Sequence, residues 1–429
     1  MSQRYLNSEK LLKRALESIP LGSQTFSKSL TQYPFGSSPY FIQRGEGSRV
    51  WDVDGNCYID FINSLLAITL GYGNEKITNA VQTQLHDGVI FSLPHILEME
   101  VAELICEMVP CAEKVRFGKN GSDATSGAIR LARAYTKRDH VAVCGYHGWQ
   151  DWYIGSTARN DGVPQAVREL THSFPYNDLN ALDTLLRSRK GEFAAVILEP
   201  MNLFWPAEGY LEGVKELVHQ NGAVLIFDET ITGFRFANGG AQEYFNVTPD
   251  LATFGKGLAN GFPISAIAGS NEIMKLMEEV FFSFTFGGET LSLAAAKACL
   301  STIQNEPVID TIAIQGTKVK SGLNNLIDKY NAHSLLSVAG HPSWSLLIIQ
   351  DTELVSSYGF KTLYLQEMLA RGILTFGSHN MSYAHSDHDI QLLLDAYDEV
   401  IPMLLEARNP DKLKSMLNCE ILKPLFKVR

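Results

Sequence analysis

The stretches Ala223-Val-Leu-Ile-Phe-Asp-Glu229 and Leu251-Ala-Thr-Phe-Gly-Lys-Gly257 are short apolar runs that each close on a charged group. Similar runs recur at 114–117, 141–144, 194–198 and 264–268, with helical stretches between them. Strands buried on both faces read as continuous apolar runs, and their alternation with helices predicts an α/β fold: a mainly parallel sheet with helices on both faces. Between two of the runs, Ala128, Leu131, Ala132 and Tyr135 repeat at helical spacing and mark one apolar helix face, which belongs to the core and not to the chemistry.

Working outward, residues 1–20 set Arg4, Glu9, Lys10, Lys13, Arg14 and Glu17 among apolar positions, the pattern of an amphipathic helix and not of a signal peptide. Residues 21–39 are rich in Ser, Gly and Pro and read as a long irregular arm. Residues 49–60 read as two strands turning at Asp54-Gly55-Asn56. Beyond about residue 310, helix at 323–329, strand at 345–349 and helices at 362–371 and 389–405 suffice for a smaller α+β domain.

The formal charge is −11, from 36 Lys and Arg against 47 Asp and Glu, without a basic run, which argues against nucleic acid as a partner. No apolar stretch reaches the roughly 18 residues of a membrane span. The six cysteines, at 57, 106, 111, 144, 299 and 419, show neither CxxC pairs nor zinc spacing, so we expect reduced thiols in a cytoplasmic protein and no metal site.

The chemistry is concentrated at strand ends. Ligands of open α/β sheets gather at the carboxyl ends of strands, which is where Asp228 and Lys256 fall. Gly255 and Gly257 let backbone crowd a bound group while Lys256 projects into it. An acid and a lysine so placed suit a pyridoxal Schiff base, the carboxylate keeping the pyridine nitrogen protonated; taken alone, the two residues fit a plain ion pair at a strand end better. Lys119-Asn-Gly-Ser-Asp-Ala124 opens a helix, and the N–H groups of Gly121 and Ser122 with the Ser122 hydroxyl make a phosphate site or an ordinary cap. Tyr146-His147-Gly148-Trp149 places an aromatic ring at the same edge, for stacking or for packing. Phe284-Thr-Phe-Gly-Gly-Glu-Thr290 is a second hydroxyl and backbone cradle or an ordinary turn.

Together these residues resemble the class III, fold-type I pyridoxal-phosphate aminotransferases, most closely the glutamate-1-semialdehyde 2,1-aminomutase-like branch. The resemblance runs through Trp51-Asp-Val-Asp-Gly55, Asn120-Gly-Ser-Asp-Ala124, Tyr146-His-Gly148, Leu198-Glu-Pro200, Asp228-Glu-Thr-Ile-Thr-Gly-Phe-Arg235, Phe254-Gly-Lys-Gly257 and Thr285-Phe-Gly-Gly288, in the family's order. It implies a large domain over 61–310 with a mainly parallel, seven-stranded-type sheet. Residues 1–60, the arm and part of the small domain, join 311–429 as a smaller α+β domain. It implies pyridoxal 5'-phosphate held by Lys256, which also shuttles the proton, with Asp228 on the ring nitrogen. Gly121 and Ser122 fall on the phosphate, Tyr146 and Ile231 on the two ring faces, and His147 and Glu199 within the cofactor site. Thr285 is implied to reach the phosphate of a neighbouring subunit, hence a homodimer.

Departures from the pattern bear on the substrate. Lys28 stands where the aminomutase branch has a carboxylate-gripping arginine, and a lysine is a point charge without the bidentate fork. Glu289 replaces an asparagine and adds negative charge close to the site, and 377–382 lacks an arginine. We therefore expect an aminotransferase that moves an amino group from a small-molecule donor to a polar aldehyde or ketone. The alternatives are an aminomutase of the glutamate-1-semialdehyde type and a cofactor-binding protein without turnover.

Overall fold

In the computed structural model, which describes residues 3–423, all six expected runs are strands of one seven-stranded sheet. Its order is Lys114–Gly118, Ser265–Gly269, Leu251–Phe254, Val224–Asp228, Phe193–Leu198, His140–Cys144 and Thr171–Ser173. The short polar edge strand Thr171–Ser173 was not anticipated. Ser265–Gly269 runs antiparallel to both its neighbours, and the other pairings are parallel. Met1, Ser2 and residues 424–429, parts of the expected first helix and last domain, lie outside the described residues.

The chain divides into two units. Among the described residues, one comprises Leu66–Thr69 and Glu75–Ile309 and holds this sheet; the other comprises the residues up to Leu65, Leu70–Asn74 and 310–423. In the sheet-bearing unit the strands Phe193–Leu198 and Val224–Asp228 are buried along their whole length because helices cover both faces. On one face Ala124, Ala128, Leu131 and Ala132 of the helix Gly121–Thr136 pack against Val141, Val143, Ala195, Ile197, Val224 and Ile226. On the other, Leu182 and Leu186 of Leu179–Ser188 and Leu211, Val214 and Val218 of Tyr210–Gln220 pack against Ala142, Val196, Leu198, Leu225 and Phe227. Each fully buried Val, Leu, Ile or Phe side chain contributes about 1.5–3 kcal/mol by leaving water. Tyr135 departs from the expected apolar face: it is exposed, and its hydroxyl donates to Glu272. Since side chains alternate along a strand, Asp228 falls on the face of Val224 and Ile226, under the helix Gly121–Thr136.

In the other unit Ile42–Glu46, Arg49–Asp52, Cys57–Asp60 and Ile373–Leu374 form one sheet, and Leu336–His341, Trp344–Ile349 and Ser378–Asn380 another. The hairpin turn has a second use: Asp54 accepts the N–H groups of Asn7 (2.7 Å) and Ser8 (2.9 Å) and caps the helix Leu6–Ser18. The arm is built of short 3-10 turns, including Phe26–Lys28 and Leu30–Gln32. The helix expected over 323–329 is much longer, Val308–Lys329. No helix among the described residues is long and apolar enough to cross a membrane.

Among the histidines this unit buries are His379 and His385. His379 lies 2.7 Å from the Tyr397 hydroxyl and 3.0 Å from that of Ser345, and Tyr397 meets the Tyr364 hydroxyl at 2.7 Å. His385 stacks on Phe61 and its Nδ1 accepts the Ser382 N–H. Burial pushes His379 down to about 3 and His385 to about 4. Because the folded values are depressed, the unfolded chain takes up these protons first as the pH falls. The stabilisation is full above the ordinary histidine value, about 6.5, and is lost as the pH drops toward the folded values. We predict that His379→Gln shows a smaller fall in thermal midpoint between about pH 7 and about pH 5 than the wild type, read by calorimetry; equal slopes would refute it.

Candidate active site

Asp228 is the last residue of its strand and pairs in register with Thr253 of the neighbouring strand, three residues before Lys256. Its carboxylate is buried and well supplied with donors. Oδ1 accepts the Thr230 hydroxyl (2.6 Å), the Thr230 N–H (3.1 Å) and the Thr253 hydroxyl (3.2 Å), and Oδ2 accepts His147 Nδ1 (2.8 Å). The other ring nitrogen of His147 faces the Cys144 carbonyl at 3.2 Å. Burial pushes the Asp228 carboxyl up, but the hydrogen bonds and charge of His147 and the bonds from Thr230 outweigh it and hold the acid below its ordinary range. The adjacent Glu229 behaves oppositely. It turns to the N–H groups of Ala241 and Gln242, the Gln242 amide and the Thr232 hydroxyl, and burial raises it despite these bonds. Neighbouring carboxylates are thus separated into an ionised site acid and a structural cap.

The lysine turn lies against the helix start. A Cβ placed on Gly255 would stand 3.8 Å from the Gly121 nitrogen, which puts the lysine turn in van der Waals reach of the helix start. Lys256 is half-buried and held at φ +42, in the left-handed region. Across from it the helix Gly121–Thr136 begins at Asn120, with the Asp123 carboxylate accepting the N–H groups of Lys119 (3.0 Å) and Asn120 (2.8 Å). The cap consumes donors ahead of the helix, and the first-turn N–H groups of Gly121 and Ser122 have no acceptor within the helix, as at any helix start.

Tyr146 is fixed from below. Glu199, at the end of Phe193–Leu198, accepts the Tyr146 N–H (3.1 Å) and the Asn202 amide (2.7 Å), and the Tyr146 ring meets Tyr153 edge-on at 5.6 Å. Glu199 therefore positions the Tyr146 loop. Ser122 Oγ accepts the Trp149 N–H at 3.2 Å, tying that loop to the helix start. Ile231 is buried, and Thr285 is exposed in the loop before the helix Thr290–Asn305.

Glu289 has a structural use that its position in the sequence does not show. It is not an unmatched negative charge: it pairs with Lys119 Nζ at 2.9 Å and caps Thr290–Asn305 through the Leu291 N–H (2.7 Å) and the Ser292 hydroxyl. Burial raises its carboxyl, and Ser292 and Lys119 together bring it below the ordinary value. Lys28 belongs to the other unit, where its Nζ lies 3.4 Å from Ser64 Oγ in the wall of a cavity of about 510 Å³ that also includes Asp60, Tyr33 and Tyr72. Thr230 and Thr253 were missed in the sequence. The signal for Thr230 is local, since an Asp followed two residues on by an N–H and a hydroxyl is the pattern of an Asx turn; that for Thr253 is not, because it depends on strand register.

The residues at this edge fit pyridoxal phosphate. Of the roughly four lone-pair positions of a carboxylate, those of Asp228 Oδ2 take one donor, His147, which leaves a lone pair that a ring N–H could meet. The Gly121 and Ser122 N–H groups lie beside the lysine turn, as a phosphate linked to the same ring requires. Gly148, at φ +104, has no room for a side chain, since a Cβ would collide with Ser122 Oγ. We predict that Gly148→Ala displaces the Tyr146 loop or the Ser122 hydroxyl and lowers stability by about 1–3 kcal/mol, measured by denaturant unfolding; an unchanged midpoint would contradict the packing.

A family model described as aminotransferase class-III matches residues 33–400. A glutamate-1-semialdehyde 2,1-aminomutase of Alkaliphilus oremlandii is 38% identical, covering 91% of this chain and 97% of its own. A 3-aminobutyryl-CoA aminotransferase of Cloacimonas acidaminovorans is 33% identical, covering 92% and 97%. Among solved structures, the Sphingopyxis sp. MTA144 FumI protein in its PLP internal aldimine form is similar with a TM-score of 0.88 at 28% identity, covering 96% of this chain and all of that one. Matched through its motifs, its sheet and most of its length, the chain belongs to the class-III aminotransferases, fold-type I enzymes whose cofactor is pyridoxal phosphate.

Proposed function

We propose that Lys256 carries the cofactor and that the enzyme moves an amino group from a small-molecule donor to a polar aldehyde or ketone. The observation that carries this reading is the ionised, buried Asp228 in register beside the lysine turn. The cofactor, when bound, supplies an electron-withdrawing ring that stabilises negative charge on the carbon bearing the amino group. Asp228 Oδ2 holds the proton on the ring nitrogen, and Lys256 Nζ takes and returns the substrate proton. Gly121 and Ser122 bind the phosphate through N–H groups at the positive end of the helix dipole. Tyr146 and Ile231 bound the ring faces, with His147 and Glu199 behind Asp228 and Tyr146.

A homodimer with Thr285 on the partner's phosphate is supported by exposed apolar side chains around that loop. Phe281 and Phe286 flank Thr285, and Leu93, Ile96 and Met99 lie in the adjoining segment, which meets the loop where the Thr290 N–H bonds the Val89 carbonyl at 2.9 Å. Exposed apolar patches of this kind mark interfaces. A cytoplasmic location accords with six cysteines that form no disulfide. Lys28 is kept as a substrate contact on the resemblance. A second reading, intramolecular transfer by an aminomutase, is favoured by the Alkaliphilus relative; Lys28 in place of arginine weighs against a substrate gripped by its carboxylate.

Two outcomes test this. The purified protein should show visible cofactor absorbance that one amino donor bleaches with release of a carbonyl product, and Lys256→Ala should neither bleach nor fix the cofactor on borohydride treatment. Turnover of a single substrate to its isomer, with no second substrate needed, would give the aminomutase reading instead. Leu93→Asp should yield monomers by light scattering, with cofactor affinity down at least about tenfold; a monomeric wild type would remove the role given to Thr285.

A further inference from the structure

Thr230 touches three parts of the site with one small side chain. Its hydroxyl donates to Asp228 Oδ1 at 2.6 Å, and its N–H reaches the same oxygen at 3.1 Å. Its methyl occupies the space between the two glycine turns: a Cβ added at Gly121 would lie 3.1 Å from that methyl, and one at Gly255 would lie 3.4 Å from it. The hydroxyl therefore acts on the acid, and the methyl spaces the phosphate turn from the lysine turn. These two actions belong to different atoms of one residue, so conservative substitutions can separate them.

The placement matters because a carboxylate on a single bond can rotate. With Oδ1 held by Thr230 and, less closely, by the Thr253 hydroxyl at 3.2 Å, the plane of Asp228 is fixed from one side, while His147 at 2.8 Å fixes Oδ2 from the other. The lone pair left on Oδ2 then has a defined direction. A hydrogen bond that must meet a charged acceptor loses strength when the acceptor swings away from it.

We propose that Thr230 is a positioning residue for the reaction, its hydroxyl orienting Asp228 toward the ring nitrogen and its methyl setting the spacing of the phosphate and lysine turns. The inference rests on the reading of Asp228 as the partner of that nitrogen. It goes beyond it by assigning a role to a residue that does not itself carry charge or donate to the ring.

The test compares the wild type with Thr230→Val, which keeps the methyl and removes the hydroxyl, and Thr230→Ser, which does the reverse. Dissociation constants are measured on each protein for pyridoxal phosphate and for its deaza analogue, with carbon in place of the ring nitrogen. Thr230→Val is expected to bind pyridoxal phosphate about tenfold more weakly and the analogue as the wild type does, because only the former meets Asp228. Thr230→Ser is expected to keep the wild-type preference and to bind both compounds a few-fold more weakly. Equal losses for both compounds in Thr230→Val, or no loss, would overturn the proposal and leave the reading of Asp228 standing. A wild type with no preference for the ring nitrogen would remove the reading itself, and the inference with it. Should Thr230→Val not fold, Thr230→Ala gives the same comparison, since the ratio between the two compounds reports the hydroxyl.

Discussion

An ionised carboxylate taken out of water at the end of a strand costs several kcal/mol unless donors replace its hydration. Asp228 is in that position, and the sheet-bearing unit meets the cost with groups drawn from three separate segments. His147 comes from the loop after His140–Cys144, Thr253 from the adjacent strand, and Thr230 from the turn that follows Asp228. Thr230 is supplied by the local turn, whereas His147 and Thr253 depend on the parallel register of the strands. A slip of one residue would turn Asp228 to the opposite face and leave His147 without its acceptor. The architecture of the sheet and the electrostatics of the site are therefore one problem, solved by the same hydrogen bonds.

Burial alone would raise both members of the Asp228-Glu229 pair. What separates them is the kind of donor each meets. Both acids meet hydroxyl and backbone N–H donors, but Asp228 also meets the His147 imidazole and ends ionised at the edge where the lysine turn lies, while Glu229 has the Gln242 amide in that place and serves as a cap. Glu289 shows the same distinction. A carboxylate that looked, in one dimension, like added negative charge is matched by Lys119 and absorbed into a helix start.

Much of this was legible in the sequence where the signal is local. The six apolar runs became strands, most of them because near-continuous Val, Leu, Ile, Phe and Ala leave little choice for a chain that must bury both faces, with Lys114–Gly118 as a partly exposed edge, and the turn at Asp54-Gly55-Asn56 followed from its residues. Thr171–Ser173 was invisible because a three-residue polar edge strand has no hydrophobic pattern to read. The reversed direction of Ser265–Gly269 was hidden for another reason, since composition does not encode orientation. In the site, the type of residue suggested Asp228 and Lys256, whereas the partnership of His147 with Asp228 spans 81 positions and exists only after the loop and strands have met. Tyr135 kept the helical period of its neighbours but lies at the end of the helix, beyond the sheet that buries them.

The left-handed backbone at Lys256 has a consequence for how this protein could change. A β-carbon in that conformation costs roughly 1–2 kcal/mol, a penalty from which glycine is exempt. The position proposed to carry the cofactor is thus one whose backbone conformation favours a residue with no side chain. A lineage released from the need for amino transfer would be free to relieve the backbone cost with glycine at 256, while most other changes in the buried strands around it would lose stability. Retention of the lysine is then maintained against the grain of folding. It makes this single residue a more sensitive record of continued catalysis than the hydrophobic strands, which any descendant keeping the fold must preserve.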